Sequence, residues 1–424
     1  MSVSFKHTQE IFRNPLNMND ECYIRYEQSS SSLVLVKVFL FIIILNLVVL
    51  PQGSWAQELM GDNDSGHSID LYNMDIEQLM DIDIRTGQPG WFGTQLEQLG
   101  FEPYIHGYAV VDYRDYDLNR RRSIDSFDLH YFNIVLGTDI DDRIAAEVLL
   151  EYEHGEDDMG IRYGIIDYKF VDSLIMRMGK FLVPMGYFNE YLSPEYANKL
   201  PDRPYCLWQI VPIVWAGTGV QLRGQYELPS DREINYAVYI VNGLEQPANA
   251  DGSVGEGGSI RSMRPNNRDS NNSNKAYGGR IGFKPWKELE VGLSYYTGAY
   301  TIDGKQDLSI MDLDVEYKKN DWTLRGEYVR ADQEVSTGDL KKDGFYAEAA
   351  YRLNRNFEPV FRYDEADMDD GSGHDIQRST IGLVFYPEPD LHPMFNFKIS
   401  QSFIHDDGTG DQKHEFVAQC VIGF

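Results

Sequence analysis

Residues Glu415 to Phe424 read Glu-Phe-Val-Ala-Gln-Cys-Val-Ile-Gly-Phe. Side chains alternate between the two faces of a β-strand. In this stretch one face is wholly apolar, from Phe416 through Cys420 to Phe424, and the opposite face, which begins at Glu415, is mixed. The pattern predicts a strand with one face in an apolar environment. An edge strand of a soluble sheet and a strand of a membrane barrel both fit this pattern. The rest of the sequence is needed to distinguish them.

The same alternation recurs from residue 101 onward. Three examples are Ile144–Glu153, Met311–Tyr317 and Trp322–Tyr328, in which apolar side chains alternate with charged or small ones. A tilted strand that crosses a bilayer needs about 9–11 residues. Ile144–Glu153 has this length, and the two 7-residue stretches come close to it. The alternation therefore predicts half-polar strands of membrane-spanning length.

The connectors between these stretches alternate in length. Short ones such as Lys318–Asp321 are followed by long ones such as Tyr113–Ile124, Gly243–Asn274 and Ala331–Asp343. Short turns at one end and long loops at the other are typical of outer-membrane barrels. We predict an all-β chain that forms a transmembrane antiparallel β-barrel of about 16 strands over residues 101–424, with both ends on the short-turn side. Phe424, a terminal aromatic residue, is then expected to be the assembly signal.

The composition fits this prediction. The net charge of −29 argues against nucleic acid as a partner. The mean hydropathy of −0.42 excludes a helical membrane protein. The chain nevertheless has 28 Tyr, 21 Phe and 6 Trp, as a barrel with aromatic belts at both membrane interfaces would. The 3 cysteines form no disulfide framework or CxxC metal pattern.

We expect no cofactor and no metal site. The acidic stretch Asp364–Asp370 lacks the spacing of an EF-hand loop. Carboxylate-rich loops suit hard cations, so weak Ca²⁺ or Mg²⁺ binding there stays open as an alternative to simple solvation.

The N-terminal region predicts export. Leu33–Leu50 is almost wholly apolar, and Ser54-Trp55-Ala56 fits a small-x-small cleavage site, so we predict that residues 1–56 are a signal peptide with a long n-region. A membrane-spanning helix is the alternative, but a lysine shortens the apolar run below the ~20 residues that a helical span needs. Residues 57–100 are predicted to be a periplasmic extension with a short helix near Met74–Ile82.

Residues 181–217 differ from the other connectors. This long loop follows the fifth predicted strand and is rich in proline and aromatic residues, whereas most loops here are rich in Asp, Asn, Gly and Ser. A loop this apolar should be packed, and we predict that it folds into the lumen as a constriction loop. The third long loop of sixteen-stranded porins does this, and residues 181–217 form the third long loop of this chain.

Two motifs beside this loop resemble those of the phosphate-selective porin O/P family. Met178-Gly-Lys-Phe-Leu-Val-Pro-Met-Gly186 is similar to that family's Gly-(Gln/Lys)-Phe-x-x-Pro-Phe-Gly, and Gly219-Val-Gln-Leu-Arg-Gly224 also fits. The resemblance covers the chain from about Phe101 to the end and implies an outer-membrane porin, with phosphate as one candidate solute. Trp215-Ala216 stand where we would expect an Arg/Asp-type pair, and this departure weakens the case for phosphate.

Charged residues on the polar strand faces are predicted to line the channel. The bases are Arg177, Lys180, Arg223, Arg280, Arg325, Arg352 and Arg362. The acids are Glu147, Glu151, Asp312, Asp314, Glu316, Glu327 and Glu348. The alternative is that they are wall charges that pair across neighbouring strands. Lys180 and Arg223 flank the loop, so we expect them to set the ion preference.

We therefore predict a non-enzymatic porin in the outer membrane of a Gram-negative-type bacterium, a passive diffusion channel for small hydrophilic solutes, with an anion or phosphate preference left open. The expected partners are membrane lipid, lipopolysaccharide, inorganic anions, the outer-membrane assembly machinery and further copies in a homotrimer.

The alternatives to a porin are a barrel enzyme of the lipase or protease type, a loop-mediated adhesin and an energised receptor. A receptor needs more strands and a folded plug domain. An enzyme would draw on the histidines, but a Gly-x-Ser-x-Gly nucleophile motif is absent from the sequence. These histidines are His130, His154, His374, His405 and His414.

Overall fold

The computed structural model describes residues 102–118, 122–154, 159–171, 173–246, 259–264, 273–368, 375–390, 392, 394–407 and 410–424. The predicted signal peptide, the periplasmic extension and its helix lie outside these residues and stay predictions. No helix among the described residues is long and apolar enough to cross a membrane.

The described chain is a closed antiparallel barrel. Each strand is hydrogen-bonded to its sequence neighbours, and β1 pairs with β16 to close the sheet. The strands are β1 (Glu102–Leu118), β2 (Arg122–Asp139), β3 (Ile144–Glu153), β4 (Gly160–Val171), β5 (Leu174–Leu182), β6 (Ala216–Leu228), β7 (Arg232–Val241), β8 (Ala276–Trp286), β9 (Leu289–Ala299), β10 (Asp307–Lys319), β11 (Trp322–Val335), β12 (Gly338–Tyr351), β13 (Phe357–Asp367), β14 (Asp375–Phe385), β15 (Asn396–Asp406) and β16 (Asp411–Gly423). The predicted fold class and strand number are confirmed.

The alternation of polarity along each strand corresponds to an inner and an outer face of the barrel. On β10, Leu313 is 54% exposed on the outer face, whereas Asp312 on the inner face is fully buried. The outer face of β16 carries Phe416 and Ile422, and its inner face carries Glu415 and Gln419. An apolar outer surface suits hydrocarbon and a polar inner surface suits a wet lumen, which is the arrangement of a membrane barrel.

Two predicted loops are strands. Tyr113–Ile124 and Ala331–Asp343 were expected to be long connectors because they are polar, but the ladders continue into them, in the first as far as Leu118 and Arg122. β11 and β12 remain paired as far as Val335 and Gly338. Polar side chains are no obstacle to strand pairing beyond the bilayer, because water solvates them there while the backbone keeps its cross-strand hydrogen bonds. A change to polar residues along the sequence therefore indicates where the apolar outer band ends, but not where the strand ends.

Phe424 lies at the seam where the barrel closes. Its backbone N–H donates to Gly107 O at 3.0 Å, and its carbonyl accepts from Gly107 N–H at 2.8 Å. Its ring lies on the outer face, 5.9 Å from the ring of Phe132. The last residue of the chain thus joins β16 to β1.

Deleting Phe424 is expected to lower the yield of folded barrel severalfold. The deletion removes both seam hydrogen bonds, each worth about 1 kcal/mol net, together with the ring contact. Heat-modifiable mobility of outer-membrane fractions measures the folded fraction. Phe424→Tyr keeps the hydrogen bonds and an aromatic ring, and should fold like wild type. An unchanged yield in the deletion variant would contradict the role of Phe424 in assembly.

Candidate functional site

The connector between β5 and β6 lies inside the barrel. Phe181 and Gly217 are still paired strand residues, so the loop proper is residues 183–215, two residues shorter at each end than expected. We call this segment the inner loop. It contains a π-helical turn (Phe188–Leu192) and a short helix, α1 (Tyr205–Ile210). Its apolar side chains are fully or almost fully buried against inner-wall residues of β7 to β13: Val183, Met185, Leu207, Ile210 and Trp215.

Asn189 ties the two ends of the inner loop together. Its Nδ2 donates to Val183 O at 2.7 Å and to Trp215 O at 2.9 Å, and its Oδ1 accepts from Trp215 N–H at 2.8 Å. Trp215 in turn packs edge-on against Tyr296 of β9, with ring centroids 4.9 Å apart. The neck of the loop is thereby fixed to the barrel wall.

Gly179 and Gly186 have geometric reasons for their places in the Gly-Lys-Phe-x-x-Pro-Met-Gly motif. Gly179 has a φ of +116°, and a Cβ there would collide with Gly164 O on β4. Gly186 has a φ of +68°, and its N–H donates to Ser294 Oγ at 3.0 Å. Two residues later, Phe188 N–H donates to Glu327 Oε1 at 2.7 Å. The motif therefore encodes a close strand approach followed by a left-handed turn against the wall.

The inner loop reaches the opposite wall as well. Tyr196 packs edge-on against Tyr108 of β1 at 5.3 Å. The Nζ of Lys398 on β15 donates to Glu195 O at 2.5 Å. Lys199 Nζ lies 2.9 Å from Glu358 Oε2 on β13. The loop therefore spans the interior from the β5–β12 side to β13, β15 and β1.

One cavity lies on each side of the inner loop. The outer cavity, on the long-loop side, has a volume of about 700 Å³ and is lined by Tyr131, His154, Arg203, Trp208 and Arg261 among others. The inner cavity, near the short turns, has a volume of about 210 Å³ and is lined by Tyr191, Arg223 and Arg280 among others. The inner loop lies between the two cavities.

Apart from Lys180, the predicted lumenal bases have carboxylate or aromatic partners. Arg280 is 2% exposed and binds Asp314 with two hydrogen bonds, 2.7 and 3.0 Å long. Arg223 binds Glu190 of the inner loop at 2.7 Å. The others pair with wall groups: Arg177 with Asp167, Arg325 with Glu316, Arg362 with Glu348 and Asp364, and Arg352 with the ring of Tyr386. Most of these contacts lie within the wall, and Arg223 joins the wall to the inner loop. The role of these bases in lining the channel stays a prediction.

The predicted acids divide into two groups. Glu147 accepts hydrogen bonds from Tyr104 and Tyr163, both 2.6 Å long, and Glu151 pairs with Arg162. Those on β10 to β12 lie buried on the wall that the inner loop covers: Asp312, Asp314, Glu316, Glu327 and Glu348. Asp314, Glu316 and Glu348 pair with wall bases. Glu327 accepts a hydrogen bond from Phe188 N–H of the inner loop, and neither oxygen of Asp312 has a hydrogen-bond partner among the described residues.

Lys180 lies on the outer face, not in the lumen. It pairs with Thr218 of β6, and residues paired in an antiparallel ladder share a face. Two residues further along β6 on that same face, Val220 is 44% exposed. The Lys180 Nζ donates to Ile161 O at 2.7 Å. Its predicted role in ion preference therefore loses its geometric basis.

Two bases that sequence reasoning missed face the outer cavity region. Arg261 stacks over the Trp208 ring at 3.8 Å and donates to Ile213 O at 2.7 Å, and Arg264 donates to Val214 O at 3.4 Å. Among the described residues, neither guanidinium forms an ion pair with a carboxylate, although Glu153 is near enough to attract both. Burial, followed by repulsion from Arg264 and Arg203, holds the pKa of Arg261 below its usual value.

The sequence contains a signal from which these two arginines could have been identified. They lie in a connector rich in Gly, Ser and Asn, which looks like a solvated loop. Ile260 and Met263 are an apolar pair within it, and both are fully buried against the inner loop's core. An apolar pair within a polar connector predicts that this segment packs against the rest of the protein. That packing orients the neighbouring Arg261.

The histidines proposed for an enzyme do not form one site. His130 and His154 lie together at the outer cavity, with ring centroids 4.8 Å apart. His405 pairs with Asp407 at 2.7 Å, and His414 packs on Phe403 at 5.3 Å. His374 lies outside the described residues.

Two comparisons of the sequence with known proteins indicate the class of protein. A family model described as Gram-negative porin matches residues 192–386. An uncharacterized protein of Aquifex aeolicus is 26% identical over 327 residues, 67% of this chain and 72% of that protein.

Solved porin structures share the fold. The anion-selective porin from Comamonas acidovorans has a TM-score of 0.57 at 12% identity, covering 76% of this chain and 100% of that one. OmpF of Salmonella typhi, in complex with daunomycin, has a TM-score of 0.54 at 13% identity, covering 77% and 99%. At these identities the likeness shows a shared fold, the closed antiparallel barrel. The comparisons support a Gram-negative porin, without extending to the phosphate-selective O/P family, and they favour a channel over a barrel enzyme.

Proposed function

We propose that the protein is a passive diffusion channel for small hydrophilic solutes in the outer membrane, and that the inner loop sets its narrowest point. The observation that carries this proposal is the position of the loop. It is anchored to the wall by the N–H groups of Gly186 and Phe188, reaches across to Tyr108, and separates two cavities. A sixteen-stranded barrel without such a loop encloses a wide aqueous channel.

The proposal extends to a preference for anions. Arg203, Arg261 and Arg264 lie close enough for their charges to repel one another. Arg203 pairs with Glu195 at 2.9 Å, whereas Glu153 attracts Arg261 and Arg264 without forming an ion pair with either. A passing anion relieves that repulsion, and in a partly buried site water screens the attraction less than in bulk. The net charge of −29 opposes this preference only where acids lie within a Debye length, about 8–10 Å. The name of the Comamonas relative, an anion-selective porin, agrees with the proposal.

Neutralising these two arginines is expected to reduce the anion preference. The variant is Arg261→Gln with Arg264→Gln, and the measurement is the reversal potential across a planar bilayer with a KCl gradient. The reversal potential should shift toward that of a cation-preferring pore. Lys180→Gln removes one positive charge from the outer face and is the matched control, expected to leave the reversal potential unchanged. Equal shifts in both variants, or none in the double variant, would place the selectivity elsewhere.

The proposed setting follows from the outer surface. The apolar band formed by residues such as Val238, Leu313 and Ile381 suits lipid, with lipopolysaccharide in the outer leaflet. Insertion by the outer-membrane assembly machinery through Phe424 and assembly as a homotrimer belong to the same proposal.

A further inference from the structure

We infer that Asp128, His130 and His154 form a binding site for a divalent transition-metal ion, with Zn²⁺ as the best-fitting class, at the wall of the outer cavity. The site goes beyond passive diffusion, and it can be tested by metal binding whether or not the channel conducts.

The three ligand atoms already lie within 4.8 Å of one another. One carboxylate oxygen, Asp128 Oδ2, is 2.6 Å from His154 Nδ1 and 3.6 Å from His130 Nδ1. Ligands about 2.1 Å from a tetrahedral Zn²⁺ lie roughly 3.4 Å apart. The His130 distance fits as it stands. The His154 ring has to move outward by less than about 1 Å on the same scale, and its side chain is 49% exposed, so it has room to do so.

The backbone is shaped to bring these side chains together. The register of β1 and β2 shifts between Val110 and Val111, so that His130 is an extra residue opposite that step. This β-bulge lets His130 and Tyr131 both face inward although they are adjacent in sequence. His154 follows β3 with a φ of +56°, a left-handed conformation that is uncommon outside glycine, and its N–H donates to His130 O at 3.2 Å. Two local irregularities thus converge on one point.

Unsatisfied polar atoms at this point indicate that something is to be bound. Asp112 is fully buried, and its Oδ1 has no hydrogen-bond partner. His130 Nδ1 is buried and lies 3.0 Å from Asp112 Oδ2, but in a geometry that makes no hydrogen bond. A buried polar atom left unpaired is destabilising. A metal ion bound to His130 Nδ1 would satisfy that atom, and it would lie beside the Asp112 carboxylate, whose Oδ2 also accepts hydrogen bonds from Arg114 at 2.8 and 3.0 Å.

The donor set selects the metal. Two imidazole nitrogens and one carboxylate oxygen suit Zn²⁺ and its neighbours, whereas Ca²⁺ and Mg²⁺ take oxygen ligands. With Nδ1 of His154 on the metal, its Nε2 faces Glu153 Oε1 at 3.7 Å, a carboxylate placed to orient the ring. Three protein ligands leave a fourth position for water, open to the outer cavity. The sequence predicted no metal site because the ligands come from two separate segments without a spacing motif.

The alternative is that these groups are hydrogen-bonded histidine–carboxylate pairs and no more. His405 provides the matched control, because its Nε2 lies 2.7 Å from Asp407 Oδ1 at a similar exposure of 44%, and among the described residues it belongs to no group that could hold a metal ion. A surface pair of this kind should not hold Zn²⁺ tightly.

The test is calorimetric titration of Zn²⁺ into the untagged, folded barrel in detergent, followed by Co²⁺ as a spectroscopic probe. We expect about one ion per chain and Co²⁺ absorption bands typical of four- or five-coordination. His154→Asn and Asp128→Asn should weaken binding by at least about tenfold, as loss of a metal-orienting group does and loss of a ligand should exceed. His405→Asn should bind like wild type, and heat-modifiable mobility will show that every variant is folded. Absence of Zn²⁺ binding to wild type, or equal binding by wild type and His154→Asn, would overturn the proposal.

Discussion

Replacing Gly186 with valine is expected to raise the single-channel conductance severalfold. Gly186 has a φ of +68°, and any Cβ there would collide with Glu327 Oε2 and come within 2.9 Å of Asp312 Oδ2. Both carboxylates are fully or almost fully buried, so neither has room to withdraw. The turn has to leave the wall, and the hydrogen bonds from Gly186 N–H and Phe188 N–H are lost with it. A loop released at this turn no longer fills the lumen in one fixed arrangement.

Gly410→Val is the matched control for this substitution. Gly410 has a φ of +65°, and a Cβ there has no atom within 4 Å. Both variants pay the backbone cost of a β-branched residue in the left-handed region. Single-channel recordings in planar bilayers should show larger and noisier steps for Gly186→Val alone. Wild-type conductance in both variants would mean that this turn does not hold the constriction.

Replacing Arg280 with methionine is expected to destabilise the folded barrel by about 3–5 kcal/mol, the typical result of leaving a buried charge without its partner. Arg280 is 2% exposed and lies between Asp314 at 2.7 Å and Glu290 at 3.0 Å. Both acids are almost fully buried, and Asp312 and Glu327 lie on the same wall. Methionine fills similar space and supplies no charge. The rings of Tyr187 and Tyr191, which lie 5.7 and 5.8 Å from the guanidinium, also lose their cation.

The control is an exposed pair of the same chemistry. Arg355 lies 2.8 Å from Asp390, and the two side chains are 78% and 74% exposed. Arg355→Met should change stability by less than about 1 kcal/mol, as exposed ion pairs do. Urea unfolding followed by the shift between folded and unfolded electrophoretic mobility measures both variants. Equal midpoints for Arg280→Met and wild type would show that the wall acids tolerate the loss of their cation.

The sequence was sufficient for the barrel because two simple constraints act along its whole length. Lipid outside and water inside impose a period of two, and the parity of connectors distinguishes the two ends. The inner loop was also predictable, because its proline and aromatic content cannot be left in water. Met185 and Trp215 are fully or almost fully buried for this reason.

The channel-lining set was less predictable. Arg177 and Lys180 are three positions apart on one strand, and an odd separation puts them on opposite faces. Since Arg177 pairs with Asp167 in the lumen, Lys180 lies outside. Partner choice depends on the register between strands, so the pairing of Arg280 with Asp314 was not visible from either residue. The β-bulge at His130 interrupts the alternation of side chains, and the sequence pattern does not predict it.

Single-channel recording of the purified protein tests the central claim most directly, that the inner loop is the constriction of a diffusion channel. Wild-type protein and a variant in which residues 184–214 are replaced by a short Gly-Ser linker would be added to planar bilayers in KCl. Wild type should show discrete conductance steps and the variant distinctly larger ones, provided that both show heat-modifiable mobility. Folded wild-type protein that produced no steps, or steps of equal size for the two proteins, would contradict it.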